Sequence, residues 1–328
     1  MSLPFPYPGR MYAVGGRRLH VDVHATPVGV AAPTVVPTVV LEAALGASSL
    51  GWMFVERQVR TFAPTLAYDR AGLGWSAPGP RQQTLPEAVA ELDGVLRQAV
   101  PSGPLVLVGH SYGALIVRYY AARHPARVAG LVLVDPPGLE EWAHPDTAHV
   151  AKLATGIRLA RRGGWAARCG AARFVAWLIG IGALELAARC AVVVSGGKLR
   201  EPSDFNFTPA ILLPPDAKPI LRWFWTRPCF YDALISQMEA LPEAARLVAQ
   251  APPLTELPLA VLSAADTPPA QAAEHEGAAR QSRRGQYLTA RASGHWIPIE
   301  EPETVIAAVR SVVAQAVGMQ YDLGKSAL

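Results

Sequence analysis

Cysteine is scarce in this chain of 328 residues, which contains only three. Cys169, Cys190 and Cys229 are an odd number at unrelated spacings, with no C-x-x-C pair and no histidines at the spacing of zinc ligands. This set predicts neither a disulfide framework nor a metal site. It is typical of buried or incidental thiols in a reducing compartment.

Signals for secretion and for crossing a membrane are also missing. The proline-rich start, MSLPFPYPGRM, has no basic segment followed by an apolar one, so it does not read as a secretory signal. The apolar run ARFVAWLIGIGALELAARC is too short to span a bilayer and has Arg173 and Glu185 at its flanks. We therefore expect a cytoplasmic protein, with peripheral membrane contact as an alternative.

Charge is low overall but unevenly distributed. The net charge is +4, yet residues 151–200 hold nine Lys or Arg against one acid, so the rest of the chain is net acidic. Within this stretch, basic and apolar side chains stand close together: Arg161, Arg162, Trp165, Arg168, Arg173, Trp177 and Leu178. One interpretation is a lid helix over an active site; the other is contact with an anionic lipid surface. No nucleic-acid module accompanies the cluster, so we expect no nucleic-acid partner.

Four short apolar runs recur along the chain, each continuous rather than alternating. They are TVVLEA near Leu41, PLVLVGH near Leu107, AGLVLVD near Val132 and LPLAVLSA near Val261. Such runs are typical of parallel strands covered by helices on both faces. Two weaker runs, TLAYD and QYLTAR, fit the same sheet, and MYAVGGRRLHVDVHA predicts an antiparallel hairpin with a glycine turn.

Helical segments separate the predicted strands. They are LPEAVAELDGVLRQAV, YGALIVRYYAARHP and EEPETVIAAVRSVVAQAVG, which begin with acidic residues or end at proline or glycine. The alternation predicts an α/β fold with a doubly wound, mostly parallel sheet. No strand run appears from Pro136 to about Pro258, so residues 136–257 are predicted to form an inserted helical lid. Residues 1–135 and 258–328 are predicted to form the core.

The strongest motif is VGHSYGAL, in which a serine lies between two glycines directly after a strand run. A bare G-x-S-x-G arises by chance roughly 0.1 times in such a chain, but here it lies between a buried-type strand and a helix. That arrangement lifts a serine oxygen above the edge of a sheet. Gly109 and Gly113 fit because so tight a turn leaves no room for a Cβ atom. Ser111 is therefore the predicted nucleophile, the alternative being an ordinary turn serine.

Over most of its length the chain resembles the α/β-hydrolase family. The resemblance rests on RRLHVDVHA, VVLEAALGASSLGW, AYDRAGLGWS, VGHSYGA, LVLVD and SGHW, and it is loose in the inserted region. It implies an esterase-like or lipase-like serine hydrolase with no cofactor and no metal. A serine at position 111 excludes the haloalkane dehalogenase and epoxide hydrolase chemistries of the same fold, which need a carboxylate nucleophile.

A serine nucleophile needs an imidazole base, and the imidazole needs an acid that holds it in the correct tautomer. In this fold the chain order is serine, acid, histidine. His295, in the loop ASGHWIPIEEP after the last predicted strand, is the predicted base. The predicted acid is Asp266, in LSAADTPP after the penultimate strand. Asp135, which ends the strand after the nucleophile, is the alternative acid, followed by Glu274 or Glu276.

The resemblance also implies an oxyanion hole made of two backbone N–H groups. One is that of Tyr112, and aligning LEAALGASS with the family's His-Gly-x pattern makes Ala44 the other. Glu42 and Ala43 then occupy the histidine and glycine positions, which is a departure from the family. A carboxylate so close to the site needs a partner, and Arg70 in YDRAGLGWS is the candidate.

Dense aromatic residues in ILRWFWTRPCFYDAL favour a hydrophobic substrate. The function predicted from the sequence is therefore cleavage of a carboxylic ester through an acyl-enzyme. Amide, lactone or C–C bond hydrolysis, acyl transfer and non-catalytic ligand binding stay as alternatives. GLGWSA and GMQYDLGKS do not predict nucleotide sites, because prolines follow the first and the second has one residue too many between its glycines.

Overall fold

Eight strands in the described part of the chain form one sheet. The computed structural model describes residues 8–25, 36–181, 183, 193 and 212–326. The strands are β1 (Arg10–Val14), β2 (Arg17–His24), β3 (Thr38–Glu42), β4 (Thr65–Tyr68), β5 (Leu105–His110), β6 (Val128–Val134), β7 (Leu259–Ser263) and β8 (Gly285–Thr289). Their order in the sheet is β1-β2-β4-β3-β5-β6-β7-β8. β2 pairs antiparallel with β1 and β4, and all other pairs are parallel. The predicted fold class is confirmed.

Helices alternate with these strands. They are α1 (Met53–Val59), α2 (Leu85–Ala99), α3 (Tyr112–Arg123), α4 (Leu139–Ala143), α5 (Thr147–Arg168), α6 (Ala171–Gly180), α7 (Ala217–Trp225), α8 (Pro228–Ala249), α9 (Pro269–Ala279), α10 (Ile297–Glu300) and α11 (Pro302–Ser326). Ser49–Trp52 and Pro125–Arg127 are short 3-10 helices. α2 begins with a capping box, in which the side chains of Thr84 and Glu87 each accept from the backbone N–H of the other residue.

The central strands are buried on both faces, as their continuous apolar sequences require. Every residue of β5 is buried, and its side chains alternate between two cores. Leu107 packs with α2 and α3 on one face, whereas Val106 packs with α11 on the other. Because both faces of the sheet are covered, we expect a ligand to bind at the carboxyl ends of the strands, where the loops after β3, β5, β6, β7 and β8 emerge.

The region between β6 and β7 contains only helices, α4 to α8, within its described residues. α8 packs against α4 and α5 and also reaches α3 in the core. Glu185 and Cys190, which belong to the basic stretch and its apolar run, lie outside the described residues. The division into a core and a lid stays a prediction. In the described chain, no helix has both the length and the apolar character needed to cross a membrane.

Candidate active site

Ser111 lies at the sharp turn between β5 and α3. Its backbone has φ 53° and ψ −121°, a conformation that non-glycine residues rarely adopt. The turn is held from the neighbouring strand, because the N–H of Ser111 donates to the carbonyl of Val134 at 2.9 Å. The serine is half-buried, at the edge of the sheet where β5 and β6 end side by side.

The two glycines of the motif are required by close packing. A Cβ on Gly109 would lie 2.6 Å from the carbonyl oxygen of Gly113, within the same turn. A Cβ on Gly113 would lie 2.5 Å from the carbonyl oxygens of Glu42 and Ala43. The second contact places the end of β3 directly against the start of α3. Residues after β3 therefore lie beside the turn that carries Ser111.

His295 lies in the loop after β8 and is paired with a carboxylate from the end of β6. Its Nδ1 lies 2.6 Å from Oδ2 of Asp135. The aspartate side chain is only 7% exposed, whereas the histidine side chain is 41% exposed. Asp135 is itself held in an uncommon backbone conformation, with φ 42°.

The Asp135 carboxylate is ionised and well satisfied. Its Oδ1 accepts from Thr267 Oγ1 at 2.9 Å and from the N–H of Ala264 at 3.2 Å. Burial raises the pKa of Asp135, but the hydrogen bond and charge of His295, with the bonds from Thr267 and Ala264, outweigh burial and lower that pKa. An ionised acceptor makes Nδ1 of His295 the donor. When this imidazole is neutral, its unprotonated nitrogen is therefore Nε2.

The predicted acid, Asp266, does not make this contact. It is exposed on the loop after β7, and none of the hydrogen bonds within the described chain uses its carboxylate. Its neighbour Thr267 reaches Asp135 instead. The two glutamates weighed for the same role are engaged elsewhere, since Glu274 accepts from the N–H of Leu139 and Glu276 pairs with Arg280. The expected Asp266–His295 contact is corrected to Asp135–His295.

His110 supports His295, which the sequence did not indicate. Its Nε2 lies 2.7 Å from the carbonyl oxygen of His295, and the two rings are 4.9 Å apart. Burial, with a smaller effect of His295, lowers the pKa of His110 to about 3, so the ring is neutral. Its Nε2–H then donates to that carbonyl. A histidine directly before the nucleophile was the only available signal.

The expected oxyanion donors lie on the two segments that meet at Gly113, the start of α3 and the loop after β3. Tyr112 is the first residue of α3, where N–H groups have no partner within the helix. Ala44 is buried on the loop after β3, which packs against Gly113. Among the described residues, neither of these two N–H groups donates to a backbone carbonyl outside the helices and strands. The catalytic role of both groups stays a prediction.

The departure at Glu42 has a partner, as suggested from the sequence. Arg70 Nη1 lies 2.5 Å from Glu42 Oε1, and the Tyr68 hydroxyl donates to Oε2 at 2.5 Å. Both charged side chains are at most 2% exposed. Arg70 also donates to the carbonyl oxygens of Ala43 and Ala44. Burial lowers the pKa of Arg70, but the Glu42 charge more than compensates and raises it.

An apolar cavity of about 570 Å³ lies between the inserted helices and the loop after β3. Its wall includes Gly46 and Ala47 of that loop, Ala176 of α6, Phe230 of α8, and Trp296, which follows His295. This volume is in the range of small-molecule sites. Some of the aromatic residues of ILRWFWTRPCFYDAL, which were predicted to line a pocket, lie in this wall.

Apolar side chains are exposed on the outer surface of α5 and α6. Trp165, Phe174 and Trp177 are 66%, 53% and 57% exposed, and the rings of Phe174 and Trp177 stack. The opposite face of α6 lines the cavity. Of the nearby basic residues, Arg161 pairs with Glu239 and Arg168 pairs with Asp232. Contact of this surface with an anionic membrane stays a prediction.

A second group of polar side chains lies apart from the predicted catalytic residues. Asp22 and His24 of β2 and Glu56 of α1 have potential ligand atoms within 4.8 Å of one another. His24 Nε2 lies 3.2 Å from Asp22 and 3.6 Å from Glu56. These contacts link the end of β2 to α1, and none of the predicted catalytic residues lies on β2 or α1.

The family model of the alpha/beta hydrolase fold matches residues 37–302, which is most of the chain. The chain belongs to the α/β-hydrolase family. The matched range includes Ser111, Asp135 and His295.

Curated relatives match over shorter stretches. An uncharacterised Bacillus subtilis protein, YqjL, is 32% identical over 127 residues, which is 39% of this chain and 47% of that protein. Mycobacterium tuberculosis lipase LipV is 38% identical over 76 residues, covering 22% and 27% of the two chains. A pig protein named 1-acylglycerol-3-phosphate O-acyltransferase ABHD5 is 32% identical over 117 residues, covering 34% and 32%. The matches thus span less than half of these relatives.

Solved structures match over nearly the whole chain at low identity. A thermophilic esterase from Thermogutta terrifontis has a TM-score of 0.61 at 20% identity, covering 95% of this chain and 98% of the other. The epoxide hydrolase CorEH has a TM-score of 0.64 at 18% identity, covering 93% and 98%. Haloalkane dehalogenase DatA from Agrobacterium tumefaciens has 0.63 at 17%, covering 94% and 97%. These similarities establish the fold, which serves different reactions.

Proposed function

We propose that this chain is a cofactor-independent serine hydrolase that cleaves carboxylic esters of hydrophobic substrates. The observation that carries the proposal is the arrangement at the ends of two paired strands. Ser111 follows β5 in a strained backbone conformation, and Asp135 follows the neighbouring strand β6 and contacts His295. Several reactions share this fold, and the side chain at position 111 distinguishes among them. A hydroxyl there favours acyl transfer over chemistry that needs a carboxylate nucleophile.

In the proposed reaction, Ser111 Oγ attacks the carbonyl carbon of the ester. Its proton passes to Nε2 of His295, and the carbonyl π electrons move to oxygen. The amides of Tyr112 and Ala44 stabilise that oxyanion. Collapse expels the alcohol, which takes the proton from His295, and leaves an acyl group on Ser111. Water then repeats the sequence and releases the acid. Asp135 stays ionised and holds His295 in the required tautomer.

In this proposal the apolar cavity binds a hydrophobic acyl or alcohol group of the substrate. Its wall is mainly apolar, and it reaches Trp296 beside the proposed base. In this proposal the helices of residues 136–257 are a lid, since α6 and α8 supply part of the wall. Amide, lactone and C–C bond substrates pass through similar intermediates, so the substrate class is decided by assay.

A fluorophosphonate probe tests the proposed function. The wild-type protein should be labelled at Ser111, and Ser111→Ala should abolish labelling while leaving the melting temperature unchanged. Absence of labelling in the folded wild type would instead favour a ligand-binding protein without catalysis.

The substrate pocket is tested with nitrophenyl esters of increasing acyl length. Ala176→Phe adds a ring inside the cavity wall and should shift the preference towards shorter chains. Trp177→Phe, on the exposed side of the same helix, is the matched control and should leave the preference unchanged. An identical chain-length profile for Ala176→Phe and the wild type would argue against this cavity as the acyl site.

A further inference from the structure

A buried polar cluster lies beneath the loop after β3. Its members are Glu42 at the end of β3, Tyr68 at the end of the adjacent strand β4, Arg70 in the loop after β4, and Gln237 on α8. Arg70 is paired with Glu42 at 2.5 Å, and its guanidinium carbon lies 5.7 Å from the centre of the Tyr112 ring. The cluster therefore touches the segments that carry both proposed oxyanion donors.

Arg70 determines how the peptide units of this loop are oriented. Its Nη1 donates to the carbonyl of Ala43 at 2.6 Å, and its Nη2 donates to the carbonyl of Ala44. In a trans peptide, the C=O of one residue and the N–H of the next point in opposite directions. Because the Ala43 carbonyl is held towards Arg70, the N–H of Ala44 points away from it. The guanidinium thus fixes the direction of a proposed oxyanion donor.

Gln237 connects this loop to the inserted helices. Its Oε1 accepts from the N–H of Gly46 at 2.9 Å and lies 3.3 Å from Nη2 of Arg70. The side chain is only 3% exposed, although it lies far along the chain from both partners. One acceptor therefore joins α8, the loop after β3 and the guanidinium that orients that loop.

We infer that Glu42, Arg70 and Gln237 are positioning residues for the oxyanion hole, and that Gln237 makes the seating of α8 a condition for rapid acylation. The inference rests on the proposed function. Stability alone is a weak reason for the arrangement, because a buried ion pair seldom stabilises a fold more than apolar side chains of the same volume. The two carbonyls bound by Arg70 give the pair a directional role that such side chains could not supply.

Three variants of α8 test the role of Gln237. Gln237→Leu removes the shared acceptor, whereas Gln237→Glu keeps an acceptor oxygen at the same position. Ser236→Ala is the matched control, because Ser236 is equally buried and accepts at 2.7 Å from the N–H of Gln83, which lies on a different loop. Each variant is assayed for kcat and KM with a nitrophenyl ester, and for inhibition by a trifluoromethyl ketone, which forms an oxyanion on Ser111.

Loss of one oxyanion donor typically lowers kcat by about 10²-fold to 10³-fold. Misdirecting a donor should cost less, so Gln237→Leu is expected to lower kcat by roughly tenfold or more with KM little changed. Ketone inhibition should weaken by a similar factor. Gln237→Glu should recover much of the loss, and Ser236→Ala should retain wild-type kcat.

Two results would overturn the inference: wild-type kcat in folded Gln237→Leu, or an equal loss in Ser236→Ala. If Gln237→Leu does not fold, Arg70→Lys takes its place, because an ammonium keeps the charge beside Glu42 but cannot hold both carbonyls in a planar fork. A lower kcat at unchanged KM is expected, and wild-type kcat would refute the inference. Failure of the wild type to react with fluorophosphonate would instead refute the proposed function.

Discussion

Replacing Asp135 with Asn is the sharpest test of the proposed catalytic group. Three donors converge on the carboxylate: His295 Nδ1 at 2.6 Å, Thr267 Oγ1 at 2.9 Å and the N–H of Ala264 at 3.2 Å. An asparagine has only one acceptor oxygen for these donors. If that oxygen stays with Thr267 and Ala264, the amide NH₂ faces His295 and selects the tautomer protonated at Nε2. That tautomer cannot accept the proton of Ser111.

The expected cost follows from the loss of the tautomer. In serine triads the equivalent change lowers kcat by about 10⁴-fold, which corresponds to about 5 kcal/mol of activation free energy. Asp266→Asn is the matched control, since this side chain is exposed. Surface changes usually alter free energies by less than about 0.5 kcal/mol, so its kcat should stay within about twofold of the wild type.

Steady-state hydrolysis of a nitrophenyl ester measures both variants, and circular dichroism establishes that each is folded. The reasoning would be refuted if Asp135→Asn kept its activity, or if Asp266→Asn lost as much. The second result would return the acid to the position first expected from the sequence.

Three further outcomes follow from packing and charge. Gly113→Ala should destabilise the fold by about 1–3 kcal/mol, because its Cβ would lie 2.5 Å from the carbonyl oxygen of Ala43. Gly277→Ala should instead stabilise the fold by about 0.5–1 kcal/mol, because Gly277 lies in α9 with open space around its Cβ position. Urea titrations measure both changes in the free energy of unfolding. Since the folded pKa of Asp135 is lowered, the stability it contributes is present above the ordinary value of 3.8 and lost as pH falls below it. The difference in melting temperature between wild type and Asp135→Asn should therefore shrink in acid, and a constant difference would contradict this. Vesicles containing phosphatidylserine should co-sediment the wild type at low salt and Trp177→Ser less well; no binding by the wild type would end the membrane hypothesis.

Much of the fold could be predicted because its signals are local. Continuous apolar runs marked the buried parallel strands, and Gly15 with Gly16 marked the turn between β1 and β2, where both have positive φ. The turn at Ser111 was also local, since two glycines at fixed spacing permit the close contacts of β5 and α3.

The acid could not be assigned in this way. Asp135 and Asp266 both follow strands of the same sheet, β6 and β7, and both satisfy the chain order of serine, acid and histidine. The choice depends on which side chain turns inward. Asp135 does so with φ 42°, and it is reached by the N–H of Ala264 and by Thr267 from the neighbouring loop. No pattern along the chain records that convergence.

The sequence by itself determined where strands, helices and the strained serine occur, because hydrophobic periodicity and glycine spacing act over a few residues. Tertiary structure decided which polar groups meet: Asp135 with His295, His110 with the His295 carbonyl, and Gln237 with Gly46 and Arg70. Each of these hydrogen bonds requires two atoms that are distant in the chain to lie about 3 Å apart. Only the packed arrangement of sheet and helices sets those distances.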